Sequence, residues 1–337
     1  MSEVSFILID TGSESNCMMM GDVGRMKNGH QMSNVYHIEN VLLRKLHTIH
    51  FSYKISTKVN VIGRKVWNRF CILDKMVEDD NKDYYVVFVN NSIHKISVEH
   101  LNALSRKKNV HFFILLLDVY SDFPVSIKKM IDKSDFEEIY SFQQSDCDKY
   151  GFNYVNTIYS RAQFSDSLLV KLESDLYFVG ADKGRIDDVY GIYRKATDEG
   201  LKCNFTVVVD SVNLMKYRNR YVGMNIVDKR ISYSTILEGI IKTRCILELC
   251  QKGQDGLTMR FYEALFYNKM LITNNRTAAN NPMFNDKYMY IYHELYSADM
   301  SFLHKIDKVD YHYKDEMSPV HFMESLIMGD KDDKYNR

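Results

Sequence analysis

Residues Cys250 to Asn275 read CQKGQDGLTMRFYEALFYNKMLITNN, and this stretch decides the fold. A Gly-containing polar loop, Lys252 to Thr258, opens it. Met259 to Tyr267 follows with helical patterning and carries Glu263. Met270 to Thr273 is a short apolar run stopped by Asn274-Asn275. Loop, helix and strand in that order form one step of an α/β sheet. Such loops lie at the carboxyl ends of parallel strands, where nucleotides bind beside helix N-termini.

Upstream of this stretch, the runs Leu176 to Val179 (LYFV), Phe205 to Val209 (FTVVV) and Cys245 to Leu249 (CILEL) read as strands. Helical spacing covers Ile186 to Thr197, with Gly200 as its stop, and Ser234 to Lys242. Met289 to Tyr292 is a last strand, and a helical tail spans Met317 to Met328 before the polar Asp330 to Arg337. The first half repeats the alternation. Its strands are Ser5 to Ile9, Tyr84 to Val89, Val110 to Leu117 and Ile139 to Phe142; its helices are Val35 to Leu46, Val98 to Leu104 and Phe123 to Ile131. Ile49 to Tyr53 and Val59 to Ile62 read as short strands or connections, and Gly21, Gly24 and Gly29 punctuate a polar loop running through Gln31. Apolar blocks alternating with helices indicate parallel sheets covered on both faces. The expected fold is therefore α/β, with two Rossmann-like domains facing a cleft. Residues 1–165 form the first and 166–310 the second, and 311–337 are a C-terminal helix and polar tail.

With 337 residues, 44 Lys+Arg and 44 Asp+Glu, the chain has no net charge. It therefore gives no overall electrostatic case for nucleic acid. Six cysteines stand at 17, 71, 147, 203, 245 and 250 without a CxxC pair, the pattern of free thiols in a reducing compartment. No apolar run reaches the roughly 18 residues of a membrane span. SFILID follows the N-terminus without a basic leader, so the expected location is the cytoplasm. Aromatic and basic residues around Lys45 to Lys65 suggest peripheral contact with a membrane surface, against the simpler account of core aromatics and solvated lysines.

Two strand ends in the second half carry residues suited to a diphosphate. At Gly180 to Arg185, a glycine permits close backbone approach and Lys183 and Arg185 supply cations. At Gln254 to Arg260, backbone N–H groups open the helix that carries Glu263, a candidate acceptor for ribose hydroxyls.

VGADKGRIDDVYGIY, residues 179 to 193, and GQDGLTMRFYEALFYNKMLITNN, residues 253 to 275, resemble GT-B glycosyltransferases. The resemblance is to the bacterial type of lipopolysaccharide, capsule and exopolysaccharide biosynthesis. It implies a hexosyl transfer from a nucleotide-sugar, a UDP-sugar, to a polysaccharide or lipid-linked oligosaccharide, with no metal and no cofactor. By this resemblance Gly180, Lys183 and Arg185 hold the sugar donor's diphosphate, and Gly256, Leu257, Thr258 and Arg260 line its loop. Glu263 binds the ribose. Asp255, with Gln254 beside it, stands at the first Glu of the family's Glu-x7-Glu pair, a departure that leaves open which residue touches the sugar and whether the transfer retains or inverts configuration. An inverting transfer needs a base from the first half. Asp22 and His30 lead the candidates, followed by Asp10, His94 and Asp118. Two other readings fit the same pattern: a nucleotide-sugar epimerase, and a non-catalytic two-lobed binding protein.

Overall fold

The computed structural model describes residues 3–56, 63–161, 171–250, 256–294, 298–304 and 308–328. The segment 59–62 and the tail 330–337 lie outside these residues. The chain divides into two compact units, Met1–Ala162 with Glu316–Arg337, and Gln163–Asp315.

Unit 1 contains β1 (Glu3–Ile9), β2 (Gly29–Met32), β3 (Lys82–Val89), β4 (Val110–Leu116), β5 (Glu138–Ser141) and β6 (Asn153–Tyr154). They form one sheet in the order β2-β1-β3-β4-β5-β6, parallel throughout. The central strands are apolar blocks because both faces are covered. Ile7, Ile9, Val86, Phe88, Ile114 and Leu116 face one core with Leu101 and Ile127 of the helices Val98–Leu104 and Val125–Asp132. The other face is closed in part by the Pro319–Met328 helix, which contacts β3. Phe322 of that helix sets its ring edge-on to Tyr140 at 5.1 Å. Met317 O accepts from Tyr159 N at 2.8 Å, so the C-terminal segment completes unit 1.

Two sequence expectations change here. The Gly-punctuated stretch ending at Gln31 is not all loop: Gly29–Met32 pairs with β1 as an edge strand. Gly29 is required because a Cβ there would lie 2.2 Å from Val23 O. The helix expected from Val35 starts instead at Val41 and runs to His50. Asn40 caps it, accepting from Leu42 N and Leu43 N at 3.0 Å. Val35 and Tyr36 are held in extended form, Tyr36 by an antiparallel bridge to Cys71.

Unit 2 contains β7 (Ser174–Ala181), β8 (Cys203–Val208), β9 (Asn225–Val227), β10 (Thr243–Glu248), β11 (Met270–Thr273) and β12 (Met289–Ile291). The order is β12-β11-β10-β7-β8-β9, again parallel. The chain begins at the centre with β7, builds outward through β8 and β9, then returns to β10 and builds the other way. β7 and β10 are adjacent, so the strand order reverses between them, and their carboxyl ends form the switch point at which open α/β sheets bind ligands. The helix Ile186–Asp198 follows β7 and ends before Gly200, whose φ of +81° a side chain would strain. The helices Tyr233–Ile241 and Met259–Phe266 cover the opposite face and are capped by Ser232 and Thr258.

Candidate active site

The reversal between β7 and β10 is built from two turns. After β7 the chain passes Asp182 and Lys183, then Gly184 and Arg185. Lys183 is exposed with φ +45°, and Gly184 has φ +79°. Asp182 Oδ1 accepts from Gly184 N at 3.2 Å and from Ile186 N at 3.1 Å. A carboxylate therefore already satisfies the N-terminus of the Ile186–Asp198 helix, and the cations of this turn are left to meet an anion with their side chains.

Arg185 spans the reversal. Its Nε donates to Ala181 O at 3.2 Å, at the end of β7, and its Nη1 donates to Leu249 O, just past β10. The guanidinium lies over the Phe178 ring, 5.6 Å from its centroid. Gly180 is the last residue but one of β7, not the start of a turn. A Cβ there would sit 2.8 Å from Arg185 Nη2, so the glycine makes room for the guanidinium. Burial lowers the Arg185 pKa.

After β10, Glu248 is 1% exposed. Thr258 Oγ1 donates to its Oε1 and Thr273 Oγ1 to its Oε2. This one carboxylate thus ties together the ends of β10 and β11 and the start of the Met259–Phe266 helix. Burial pushes its pKa up, and the two hydroxyls and the Arg260 charge oppose that. Asn274 Oδ1 accepts from Cys250 N at 2.7 Å, and Asn275 Nδ2 donates to Gly256 O at 3.1 Å, so the Asn-Asn pair shapes the loop. Gly256, Leu257 and Thr258 are half-buried beside it. Gln254 and Asp255 lie outside the described residues.

Glu263 is fully buried and both its oxygens are engaged. Tyr233 Oη donates to Oε1 at 2.8 Å, and Arg260 Nη1 pairs with Oε2. Burial works against the Arg260 charge, but the adjacent Glu263 more than offsets it and holds the guanidinium above its usual range. Arg260 and Glu263 therefore form a paired element under the sheet, not two groups turned to a ligand. Tyr292, just past β12, is 4% exposed, and its Oη has no hydrogen-bond partner among the described residues. It lies within electrostatic reach of Arg185, Cys250 and Glu248, and burial raises its pKa. Burial also pushes the Cys250 thiol up to about 12.

Glu248 and Tyr292 were missed in the sequence. A carboxylate inside the apolar run CILEL was the available signal for Glu248, since such a charge survives in a strand only where partners wait at its end. Tyr292 offered none.

Unit 2 also has a cavity of about 480 Å³. It lies against β7, β8 and β9 beside the Tyr233–Ile241 helix, lined among others by Tyr177, Asn204, Thr206, Asn225 and Arg230. Apart from Tyr177, which feels the Arg260 and Glu263 charges, it shares nothing with the reversal site.

In unit 1 the order reverses between β1 and β3, and Asp10 ends β1 at 1% exposure. Its Oδ1 accepts from Gly12 N and Ser33 Oγ, both at 2.7 Å, and its Oδ2 from Gln31 Nε2 at 3.0 Å. Lys95 Nζ donates to Asp10 O at 2.8 Å, and burial lowers its pKa. Asp118 accepts from Asn90 Nδ2 at 2.9 Å, and burial raises its carboxyl. His94 Nδ1 contacts Asn91 O at 2.5 Å, and burial lowers its pKa. Asp22 pairs with Arg25 and accepts from Ser318 Oγ at 2.8 Å, holding the C-terminal segment. His30 is exposed on the edge strand β2.

Neither a family model nor a curated protein matches the sequence. Solved structures match over nearly the full length. The UDP-forming α,α-trehalose-phosphate synthase of Burkholderia xenovorans aligns at TM-score 0.54 and 8% identity, covering 97% of this chain and 98% of that one. The N-terminal domain of Candida albicans trehalose-6-phosphate phosphatase gives 0.54 at 10%, covering 98% and 96%. An E. coli trehalose-6-phosphate structure bound with UDP-2-fluoro glucose gives 0.51 at 10%, covering 96% and 98%. At such identities the likeness is one of fold: α/β, with the two Rossmann-like domains of GT-B glycosyltransferases.

Proposed function

We propose that the chain is a glycosyltransferase that moves a hexosyl group from a UDP-sugar to a glycan or lipid-linked glycan. The observation that carries this reading is the pair of cations, Lys183 and Arg185, on the turn closing β7 where the unit 2 sheet reverses. In the transfer, the bond from the anomeric carbon to the β-phosphate oxygen breaks and the acceptor hydroxyl oxygen bonds to that carbon. The hydroxyl proton leaves with a base or the departing diphosphate. Negative charge grows on the diphosphate, and fixed cations beside it stabilise that change without a metal. Tyr292 Oη, without a partner among the described residues, supplies a buried donor to the same region. A thermal-shift screen with UDP, GDP, CMP and their sugar conjugates tests the reading. UDP and one UDP-sugar are expected to raise the midpoint, by the equivalent of about 2.7 kcal/mol at a hundredfold excess over Kd. No shift with any nucleotide would sink the proposal.

One observation favours a second reading, sugar-nucleotide binding without transfer: the position that resemblance gives to the first Glu of the Glu-x7-Glu pair is Asp255 here. That reading requires a thermal shift with no UDP release in the presence of acceptor.

The acceptor proposal includes peripheral membrane contact. Leu42, Leu46 and Ile49 recur at i, i+4 and i+7 on the Val41–His50 helix, at 68%, 49% and 58% exposure. From Asn40 to Leu73 the sequence holds seven Lys/Arg and no Asp/Glu, in a chain whose charges balance only over its full length. An apolar stripe among basic residues suits an anionic bilayer, each surface cation adding about 1 kcal/mol. The protein is expected to co-sediment with phosphatidylglycerol vesicles at low salt and to stay in solution with pure phosphatidylcholine. Leu42→Ser/Ile49→Ser should release it, and equal binding by that variant would remove the stripe from the account.

A further inference from the structure

We infer that unit 1 carries a site for a divalent transition metal, built from Cys71 Sγ, the Asp74 carboxylate and His100 Nε2, with a fourth position open to water. The inference is independent of the reading given to unit 2.

The backbone builds the site before the side chains do. Phe70 O accepts from His37 N, and Ile72 N donates to Val35 O, both at 2.9 Å, so these bonds pin the chain on either side of Cys71. The sulfur is consequently fixed and 4% exposed. The chain then turns into the short Leu73–Met76 helix. The N–H groups of Leu73 and Asp74, two and three residues on, lie against the Cys71 sulfur and favour its thiolate. This C-x-x-D turn sets a carboxylate beside a thiol whose ligand form is already hydrogen-bonded.

The third group arrives from a separate element. His100 stands in the first turn of the Val98–Leu104 helix, which is capped by Ser97. Its side chain is 12% exposed, and Nε2 lies 2.9 Å from Asp74 Oδ1. The three ligand atoms all lie within 4.8 Å of one another. Zinc bonds of 2.0–2.3 Å place tetrahedral ligands roughly 3.3–3.8 Å apart, so closure needs about 1 Å of side-chain movement.

The chemistry of the set selects the ion. Thiolate and imidazole with one carboxylate suit Zn²⁺ or Co²⁺, while Mg²⁺ and Ca²⁺ want oxygen alone. Only the thiolate ligates, so binding replaces the Cys71 thiol proton with the ion and releases it to solvent. A thiol nucleophile with a histidine base does not fit, because the imidazole Nε2 is turned to Asp74 and the sulfur is buried.

The test uses the full chain, stripped with chelator under reducing conditions and titrated with Co²⁺. A thiolate-to-cobalt charge-transfer band in the near ultraviolet is expected to saturate at one ion per chain, and Zn²⁺ should displace it. Cys71→Ser should abolish the band. His100→Gln should weaken Co²⁺ binding by more than the 10–100-fold typical of a lost outer partner. Asp74→Asn, at a half-exposed position, should weaken it too and serves if Cys71→Ser does not fold. No band in the wild type would overturn the inference. So would a band that persists in Cys71→Ser, or affinity unchanged in both His100→Gln and Asp74→Asn.

Discussion

Replacing Arg260 with methionine is expected to cost unit 2 roughly 3–5 kcal/mol, because it leaves a buried carboxylate without its counter-charge. Glu263 is 0% exposed, and only the Tyr233 hydroxyl would remain to it. The reciprocal change, Glu263→Leu, strands the guanidinium instead. The double variant Arg260→Met/Glu263→Leu should recover most of the loss, since a buried pair replaced by apolar groups of similar size is often near neutral. The chain offers a convenient separation of signals. Its single tryptophan, Trp67, is buried in unit 1. Urea unfolding followed by tryptophan fluorescence therefore reports unit 1, while far-ultraviolet circular dichroism reports both units. The Arg260 variant should shift the second and leave the first. A single variant within 1 kcal/mol of wild type would mean that the pair contributes far less than its burial implies.

The second large effect is on ligand binding. Arg185→Gln is expected to weaken UDP binding roughly 10–100-fold, the loss of one charge-assisted bond at about 1.5–3 kcal/mol. Arg185→Lys should not restore it. An ammonium cannot reach the Ala181 and Leu249 carbonyls while also lying flat on Phe178 and presenting a free edge to phosphate. Isothermal calorimetry measures the affinity, and a melting curve separates it from the loss of the Leu249 contact. Unchanged UDP affinity in Arg185→Gln, with melting near wild type, would remove the β7 turn from the sugar-donor site.

The fold was legible where burial on both faces makes strands read as solid apolar blocks. VHFFILL of β4 and CILE of β10 are plain examples. Of the edge strands only β12, MYI, was legible; the others were not. GHQM, NY and NIV of β2, β6 and β9 are short and partly polar, and they become strands only because a neighbour offers free carbonyls and amides. The site was legible as a location but not as a set of contacts. Gly180, Lys183 and Arg185 do gather at the reversal of the sheet. Sequence could not reveal that Glu263 turns inward to Arg260, because the two charges of MRFYEALF, three residues apart, read equally well as a solvent-facing pair. Nor could it reveal that Asp22 fastens Ser318, a contact between residues almost three hundred positions apart.

That same fastening bears on how the protein is made. Unit 1 needs Phe322, Met323 and Leu326, all buried, to close its second face, yet these residues are translated after the whole of unit 2. At roughly 5–20 residues per second, the ribosome spends about 8–30 s on the stretch from 163 to 315. Throughout that interval the nascent unit 1 sheet presents an uncovered apolar surface. The later-born unit is thus the first to have its full complement of residues, and the earlier one waits on the Pro319–Met328 helix.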